Sequence, residues 1–339
     1  MSVSDEILPL KEVRAPRGAE LVRVLNQVLP LGRKYNLLVR LLNGQRGLLA
    51  VPFGVHHAIE PAAWSKTIAT LLTLDCDVVP EFRVLGPLCR ELSAGHLIDV
   101  GANVGLFTLA LRTASSLPII AYEPQPFLSK LLRSNVAYNR LAGVELRMVA
   151  CGAGRGEIAF STGLNGSVVL QTDAAKAPPA GQSGGSGDLE AEAKSAQVGG
   201  VVKVPVVTLD EDLAHLEKIA LLKIDCEGYE FEILRGAQKL LQRHRPLLFV
   251  EVHPEQLVQF GHSTQQLLDF LAPDYDLEFW YFQIGRHASK WSRSLEKFRR
   301  PHPHRCASVS EMLAVSTSVP GPAQIYFIGR PKKLFSPTR

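Results

Sequence analysis

The sequence predicts an α/β chain built around a doubly wound, mostly parallel sheet. Three observations predict it. From His96 onward, short apolar runs alternate with stretches of helical periodicity, the pattern of a parallel sheet covered on both faces. The first run ends in Asp99-Val100-Gly101-Ala102-Asn103-Val104-Gly105, a glycine-bearing passage from strand to helix. Two late runs, YDLEFWYF and AQIYFIGR, suit an antiparallel pair that closes the sheet.

The elements follow in order. HLIDV reads as the first strand and VGLFTLALRTA as the helix behind it. PIIAYEP is the second strand, and FLSKLLRSNVAYNRLAG is its helix, with Gly143 as the C-terminal cap. VELRMVACG is the third run. GEIAFST and VVKVPVVTL are strands of an extra hairpin whose loop, Gln171 to Gly200, has only Leu189 and Val198 as large apolar side chains. Such a loop cannot offset its ordering entropy and is expected to be a mobile spacer, or alternatively a lid. IALLKID is the fourth strand, followed by a helix over EGYEFEILRGAQKLLQRH; PLLFVEVH is the fifth, and STQQLLDFLA a later helix. Upstream, Leu21–Arg40 and Pro61–Leu74 have helical spacing, with GLLAVPFGV as a short hairpin between them. The expected division is an extension over residues 1–94, placed to cap a substrate, and a main domain over 95–339 whose motifs lie between 96 and 253.

Composition excludes several classes. With 46% hydrophobic and 21% charged residues, the chain can bury a core and is not globally disordered. The net charge of +4 is too small to argue for nucleic acid by itself. Its distribution is uneven: from Arg286 to the end there are eleven Lys/Arg against Glu296 and Glu311. Within the basic segment 286–306, the stretch Arg293–Arg300 is read as a solvated face, with a phosphate-bearing or nucleic-acid partner as the other possibility. The five cysteines, Cys76, Cys89, Cys151, Cys226 and Cys306, never form C-x-x-C, which argues against a disulfide scaffold or zinc ribbon and for a reducing cytoplasm. Asp5 and Glu6 stand where a signal peptide needs positive charge, and no apolar run approaches the roughly 18–20 residues of a membrane span. His302, His304 and Cys306 have metal-like types without a metal-like pattern, so no metal is expected.

Four constellations carry chemistry. In the glycine turn, Asn103 and Leu106 occupy the second and third glycine positions of a dinucleotide fingerprint, so a pyrophosphate is poorly accommodated. Asp99, opening that turn, suits a cofactor without phosphates and is placed to act on its amine end. Glu123 ends the second strand, 24 residues beyond Asp99, near the roughly 20 expected between a glycine loop and a ribose-binding acid. Lys223, Asp225 and Glu227 alternate at the end of the fourth strand, where charges are costly unless paired or chemically employed. Asp225 or Glu227 is a candidate base and Lys223 an orienting cation; the plainer reading is an ion pair beside helix N-terminal acids. His253, at the end of the fifth strand, converges on the same rim.

These residues resemble the FkbM family of S-adenosylmethionine-dependent methyltransferases. The resemblance rests on LIDVGANVGLFTL, AYEPQP, VACG, VVTLDEDL, LLKIDCEGYEFEILRGA and PLLFVEVH, in that order, from about His96 to His253. It implies a Rossmann-like class I methyltransferase sheet with an antiparallel terminal hairpin, S-adenosylmethionine as cofactor, and O-methylation of hydroxyls on sugars, glycans or small natural products. By position, Asp99, Gly101, Ala102, Asn103 and Gly105 form the cofactor loop, Glu123 holds the ribose, and Ala150 and Cys151 flank the adenine. Lys223, Asp225, Glu227 and His253 line the acceptor side, with His253 or Asp225 favoured as base. No N-P-P-[YF] segment follows the fourth strand, which argues against methylation of nucleobase amines.

Two other readings compete. A nicotinamide-dependent oxidoreductase is disfavoured by Asn103 and Leu106. A nucleic-acid-binding protein would rest on Arg293–Arg300 and show salt-sensitive binding.

Overall fold

A computed structural model of the chain describes residues 47–51, 55–59, 81–161, 169–170, 201–283, 303–318 and 323–333. The stretches Leu21–Arg40, Pro61–Leu74, Gln171–Gly200 and Arg293–Arg300 lie outside the described residues.

The strands run in chain order as β1 (Gly47–Val51), β2 (Val55–Ile59), β3 (His96–Val100), β4 (Ile119–Tyr122), β5 (Val144–Arg147), β6 (Ala150–Cys151) and β7 (Gly156–Ser161). They continue as β8 (Val169–Leu170), β9 (Val201–Val207), β10 (Ile219–Ile224), β11 (Leu247–Val252), β12 (Tyr275–Gln283), β13 (His304–Cys306) and β14 (Ala323–Pro331). The helices are α1 (Phe82–Glu91), α2 (Leu106–Ala114), α3 (Pro126–Tyr138), α4 (Leu209–Asp212), α5 (Glu230–Arg235), α6 (Gln238–His244), α7 (Pro254–Gln259), α8 (Thr264–Leu271) and α9 (Val309–Ser318).

The main sheet has the order β13-β12-β14-β11-β10-β3-β4-β5. From β5 to β11 the strands are parallel; β14 joins β11 antiparallel and β12 joins β14 antiparallel. This is the doubly wound Rossmann-like sheet with a closing hairpin that the sequence predicts. The strand β13, paired with β12 at Trp280↔Arg305, is an additional edge. The expected hairpin of GLLAVPFGV is present as β1 and β2, paired from Gly47↔Ile59 to Val51↔Val55.

Alternate residues of the strands feed two separate cores, as the period of two requires. Ile98, Val100, Leu222, Ile224, Leu248 and Val250 pack under Leu209, Ile233, Leu240, Leu257 and Leu267 of the helices on one face. Leu97, Ile119, Leu221, Phe249 and Ile328 pack under Leu85 and Cys89 of α1 and Phe107 and Leu111 of α2 on the other. Each such aliphatic side chain contributes about 1.5–3 kcal/mol on burial, which is why these strands read as unbroken apolar runs.

Three local expectations are corrected. The third run divides, with β5 in the main sheet and β6 in a second sheet of order β6-β9-β7-β8. The helix α3 stops at Tyr138, and Gly143 (φ 70°) belongs to the turn that enters β5. The helix after β10 is divided into α5 and α6 at Gly236 and Ala237, and a Cβ at Gly236 would stand 2.0 Å from the Gly152 carbonyl oxygen.

Candidate active site

The strand β3 and the turn after it build the floor of the site. Asp99 is wholly buried, and a carboxylate there is costly without partners. Its Oδ2 accepts from the Thr108 hydroxyl at 2.6 Å, and its Oδ1 lies 2.9 Å from the Lys223 ammonium. Lys223, 2% exposed, also donates to the Gly101 carbonyl at 2.9 Å and stands 5.1 Å from the centre of the Phe107 ring. Burial works against the charged ammonium, but Asp99 and then Asp225 outweigh it and raise its pKa. Asp99 and Lys223 thus sit beneath the turn, their charges spent on one another.

The turn itself runs through three left-handed residues, Gly101 (φ 76°), Asn103 (52°) and Gly105 (93°). A Cβ on Gly101 would lie 1.9 Å from the Asp225 carbonyl oxygen, so the close approach of the β3 and β10 ends requires glycine. Asn103 tolerates its conformation through its side chain, whose Oδ1 accepts from Val104 N–H at 2.7 Å. Its own N–H donates to Glu123 Oε2 at 2.8 Å, and Glu123 Oε1 accepts from Gln125 N–H at 2.9 Å. Glu123 is 4% exposed, and burial pushes its pKa up to about 7 against the pull of those two N–H groups and Lys223.

A cleft opens over these strand ends. Gly101, Asn103, Glu123, Ala150, Cys151, Asp225 and Glu227 all line it. Its apolar wall is Ile158 and Phe160 of β7 with Ile233 of α5. Among the residues predicted from sequence, Asp99, Ala102, Gly105, Lys223 and His253 stand behind the lining. Ala102 packs against Ala121 and Leu132.

At the open end the backbone departs from the expected alternation. The strand β10 ends at Ile224, Asp225 N–H donates to the Val100 carbonyl at 3.2 Å, and Glu227 (φ 49°) and Gly228 (φ 99°) turn left-handed. Lys223 is thereby directed beneath the turn while Asp225 and Glu227 reach the cleft. The fully buried Glu230 accepts from Gly228 N–H at 2.9 Å and meets His253 Nδ1 at 2.8 Å. The other ring nitrogen faces Glu227 at 3.6 Å, Glu251 at 3.7 Å and Asp225 at 3.9 Å. Burial disfavours the charged ring, but Glu230, then Glu251 and Asp225, raise its pKa to about 10.

Thr108, Glu230, Ile158 and Phe160 are site residues that the sequence reading passed over. Glu230 reads there as an acid favoured by a helix N-terminus, and Phe160 as one side chain of a surface hairpin. His304, from the rejected His/Cys set, stacks on Tyr281 at 5.0 Å.

A family model described as the methyltransferase FkbM domain matches residues 99–279. "Methyltransferase 1" of Beauveria bassiana (strain ARSEF 2860) is 28% identical over 148 residues, covering 41% of this chain and 57% of that protein. "Methyltransferase sdnD" of Sordaria araneosa is 32% identical over 163 residues, covering 42% of this chain and 60% of that protein. The chain therefore spans less than two thirds of either relative. Among solved structures, methyltransferase FkbM from Methylobacillus flagellatus KT is similar with a TM-score of 0.38 and 14% identity, over 92% of this chain and 60% of that one. SMU.1697c from Streptococcus mutans, a putative methyltransferase in complex with SAH, has a TM-score of 0.35 and 9% identity, over 73% and 96%. No helix among the described residues is long and apolar enough to cross a membrane.

Proposed function

The chain belongs to the methyltransferase FkbM family, and on that premise we propose that it uses S-adenosylmethionine to methylate a hydroxyl of a sugar, glycan or small natural product. The observation that carries this reading is the cleft that joins a buried carboxylate, Glu123, to an apolar wall and opens on Asp225 and Glu227. The fit is good in kind. Glu123 keeps lone pairs free for a ribose diol after its two backbone N–H bonds, and Ile158 and Phe160 suit the face of an adenine ring.

When bound, S-adenosylmethionine supplies a methyl group already made electrophilic by its sulfonium. The residues of the chain bind, orient and deprotonate. Glu123 and the apolar wall fix one end of the cofactor, and the acidic rim holds an acceptor hydroxyl in line at about 3–3.5 Å, where positioning is worth most. A neutral alcohol is a weak nucleophile and needs a base as its new bond forms. We assign that proton to Glu227, which lines the cleft and is the most exposed of the three carboxylates facing His253. Asn103 and Leu106 leave no cradle for a pyrophosphate, so this reading is preferred to a nicotinamide enzyme. The nucleic-acid reading rests on residues outside those described.

Calorimetric titration of S-adenosylmethionine and NAD into wild type and Glu123→Ala tests the cofactor. Micromolar binding of the former, weakened in the variant, is expected, and binding of NAD alone overturns the proposal. In an acceptor screen beginning with glycans, Glu227→Gln should lower kcat by about 10²–10⁴ with cofactor affinity unchanged.

A further inference from the structure

Asp225, Glu251 and His253 each offer one ligand atom, and the three atoms lie within 4.8 Å of one another. We propose that they hold a divalent metal ion, for which Mn²⁺ is the natural probe, and that this ion grips the acceptor hydroxyl. The site stands on geometry; its role in the reaction rests on the methyltransferase reading.

The distances are those of groups around a common centre. His253 Nε2 lies 3.7 Å from Glu251 Oε1 and 3.9 Å from Asp225 Oδ1, too far for hydrogen bonds. Three atoms so spaced can each approach one cation at the roughly 2.0–2.2 Å usual for imidazole and carboxylate ligands. The other ring nitrogen is already fixed by Glu230, whose carboxylate is locked in turn by Gly228 N–H. A histidine held on one nitrogen by a carboxylate, with the other turned toward ligating oxygens, is the usual support of a metal-binding imidazole.

The surroundings want positive charge. Glu81, 6% exposed at the start of α1, interacts electrostatically with both Asp225 and Glu251. With Glu227 and Glu230 this makes five carboxylates. Among the described residues the basic groups facing them are the His253 ring itself and Lys223, which is committed to Asp99. Of the six buried polar side-chain atoms without a hydrogen-bond partner among the described residues, two belong to this neighbourhood, Glu230 Oε2 and the Tyr326 hydroxyl. Tyr326 is 1% exposed and stands directly opposite Glu251 in the β11–β14 register, on the same face of the sheet. Its hydroxyl is within electrostatic reach of Glu81 and Glu251, where a water ligand of the ion would give it a partner.

The donor set mixes nitrogen with oxygen, which suits Mn²⁺ or Zn²⁺ better than the all-oxygen shells of Ca²⁺. Asp225 is shared between this site and the cleft, so the ion lies at the acceptor end. There it acts without redox change. It polarises the acceptor oxygen and lowers the pKa of its hydroxyl; the proton passes to Glu227, and the O–CH3 bond forms as the S–CH3 bond of the sulfonium breaks, its electron pair staying on sulfur and neutral S-adenosylhomocysteine leaving.

The test uses the full chain stripped of metal with a chelator, titrated with MnCl₂ by calorimetry and pulsed electron paramagnetic resonance. One Mn²⁺ per chain is expected, bound at least about tenfold more weakly by Asp225→Asn and by Glu251→Gln. Nitrogen coupling to the ion should vanish in His253→Gln. Metal-free melting temperatures of both amide variants close to that of wild type separate lost ligation from lost fold. Absence of stoichiometric Mn²⁺ binding by wild type, or wild-type affinity in either amide variant, overturns the site. S-adenosylmethionine is titrated into the same samples. Its binding without Mn²⁺ binding refutes the metal site and leaves the methyltransferase intact, whereas Mn²⁺ binding without it keeps the site and refutes its role.

Discussion

The Lys223 ammonium lies 2.9 Å from the Asp99 carboxylate, and neither side chain is open to solvent. This pair joins β3 to β10 at the point where the glycine turn leaves the sheet, and through the Gly101 carbonyl it also fixes the turn. Removing one partner strands the other as a buried charge. Lys223→Met should therefore cost about 3–5 kcal/mol in urea unfolding, and Asp99→Asn combined with Lys223→Met should recover part of that loss. A loss in the double variant equal to the sum of the two single losses would show that the pairing itself contributes nothing.

Gly101→Ala should damage both stability and cofactor binding. A left-handed φ of 76° costs an alanine about 1–2 kcal/mol, and its Cβ would fall 1.9 Å from a carbonyl of the neighbouring strand end. Calorimetry should show S-adenosylmethionine binding at least about tenfold weaker. Gly156→Ala, where nothing lies within 4 Å of an added Cβ, is the control and should be close to neutral.

On the proposed function, Glu123 should give cofactor binding a pH dependence. Burial places its pKa at about 7, above the ordinary 4.5, so the folded chain favours the protonated acid. That stabilising contribution is complete below about pH 4.5 and is lost as the pH rises through 7. The charged form, the better acceptor for a diol, appears over the same interval. Affinity for S-adenosylmethionine should rise by roughly tenfold between about pH 6 and 8 in wild type and stay flat in Glu123→Gln. A flat wild-type profile would remove Glu123 from the cofactor site.

Phe160 tests the wall. It is buried in the second sheet and lines the cleft from β7. Phe160→Ala should weaken S-adenosylmethionine binding by about tenfold, with Phe160→Leu between the two, as loss of apolar contact predicts. Unchanged affinity in Phe160→Ala would mean that the base lies elsewhere.

The sequence makes the fold legible because two-sided burial leaves a strong mark: ILE-rich, VAL-rich and LEU-rich strands without polar alternation, each followed by a helix. Glu123 is legible for a similar reason, since strand end and spacing together locate it. Lys223 is legible only as one half of an ion pair; its partner Asp99 and its place beneath the turn depend on where β10 stops, and that depends on a one-residue approach between Gly101 and Asp225. Glu230 and Glu81 are likewise invisible in one dimension. An acid at the start of a helix is ordinary there, and only packing reveals that each is buried beside other carboxylates.

The second sheet has a consequence for how such a site can change. Its strands β7, β8 and β9 hydrogen-bond to one another and to β6, while the glycine turn, Glu123 and the acidic rim are carried by the main sheet and its connections. One wall of the cleft is thus a replaceable panel. Substitutions in that panel can reshape the apolar wall without altering the strand order beneath. On the proposed reading, the panel can therefore tune the grip on the methyl donor while the acidic rim that faces the acceptor is inherited unchanged.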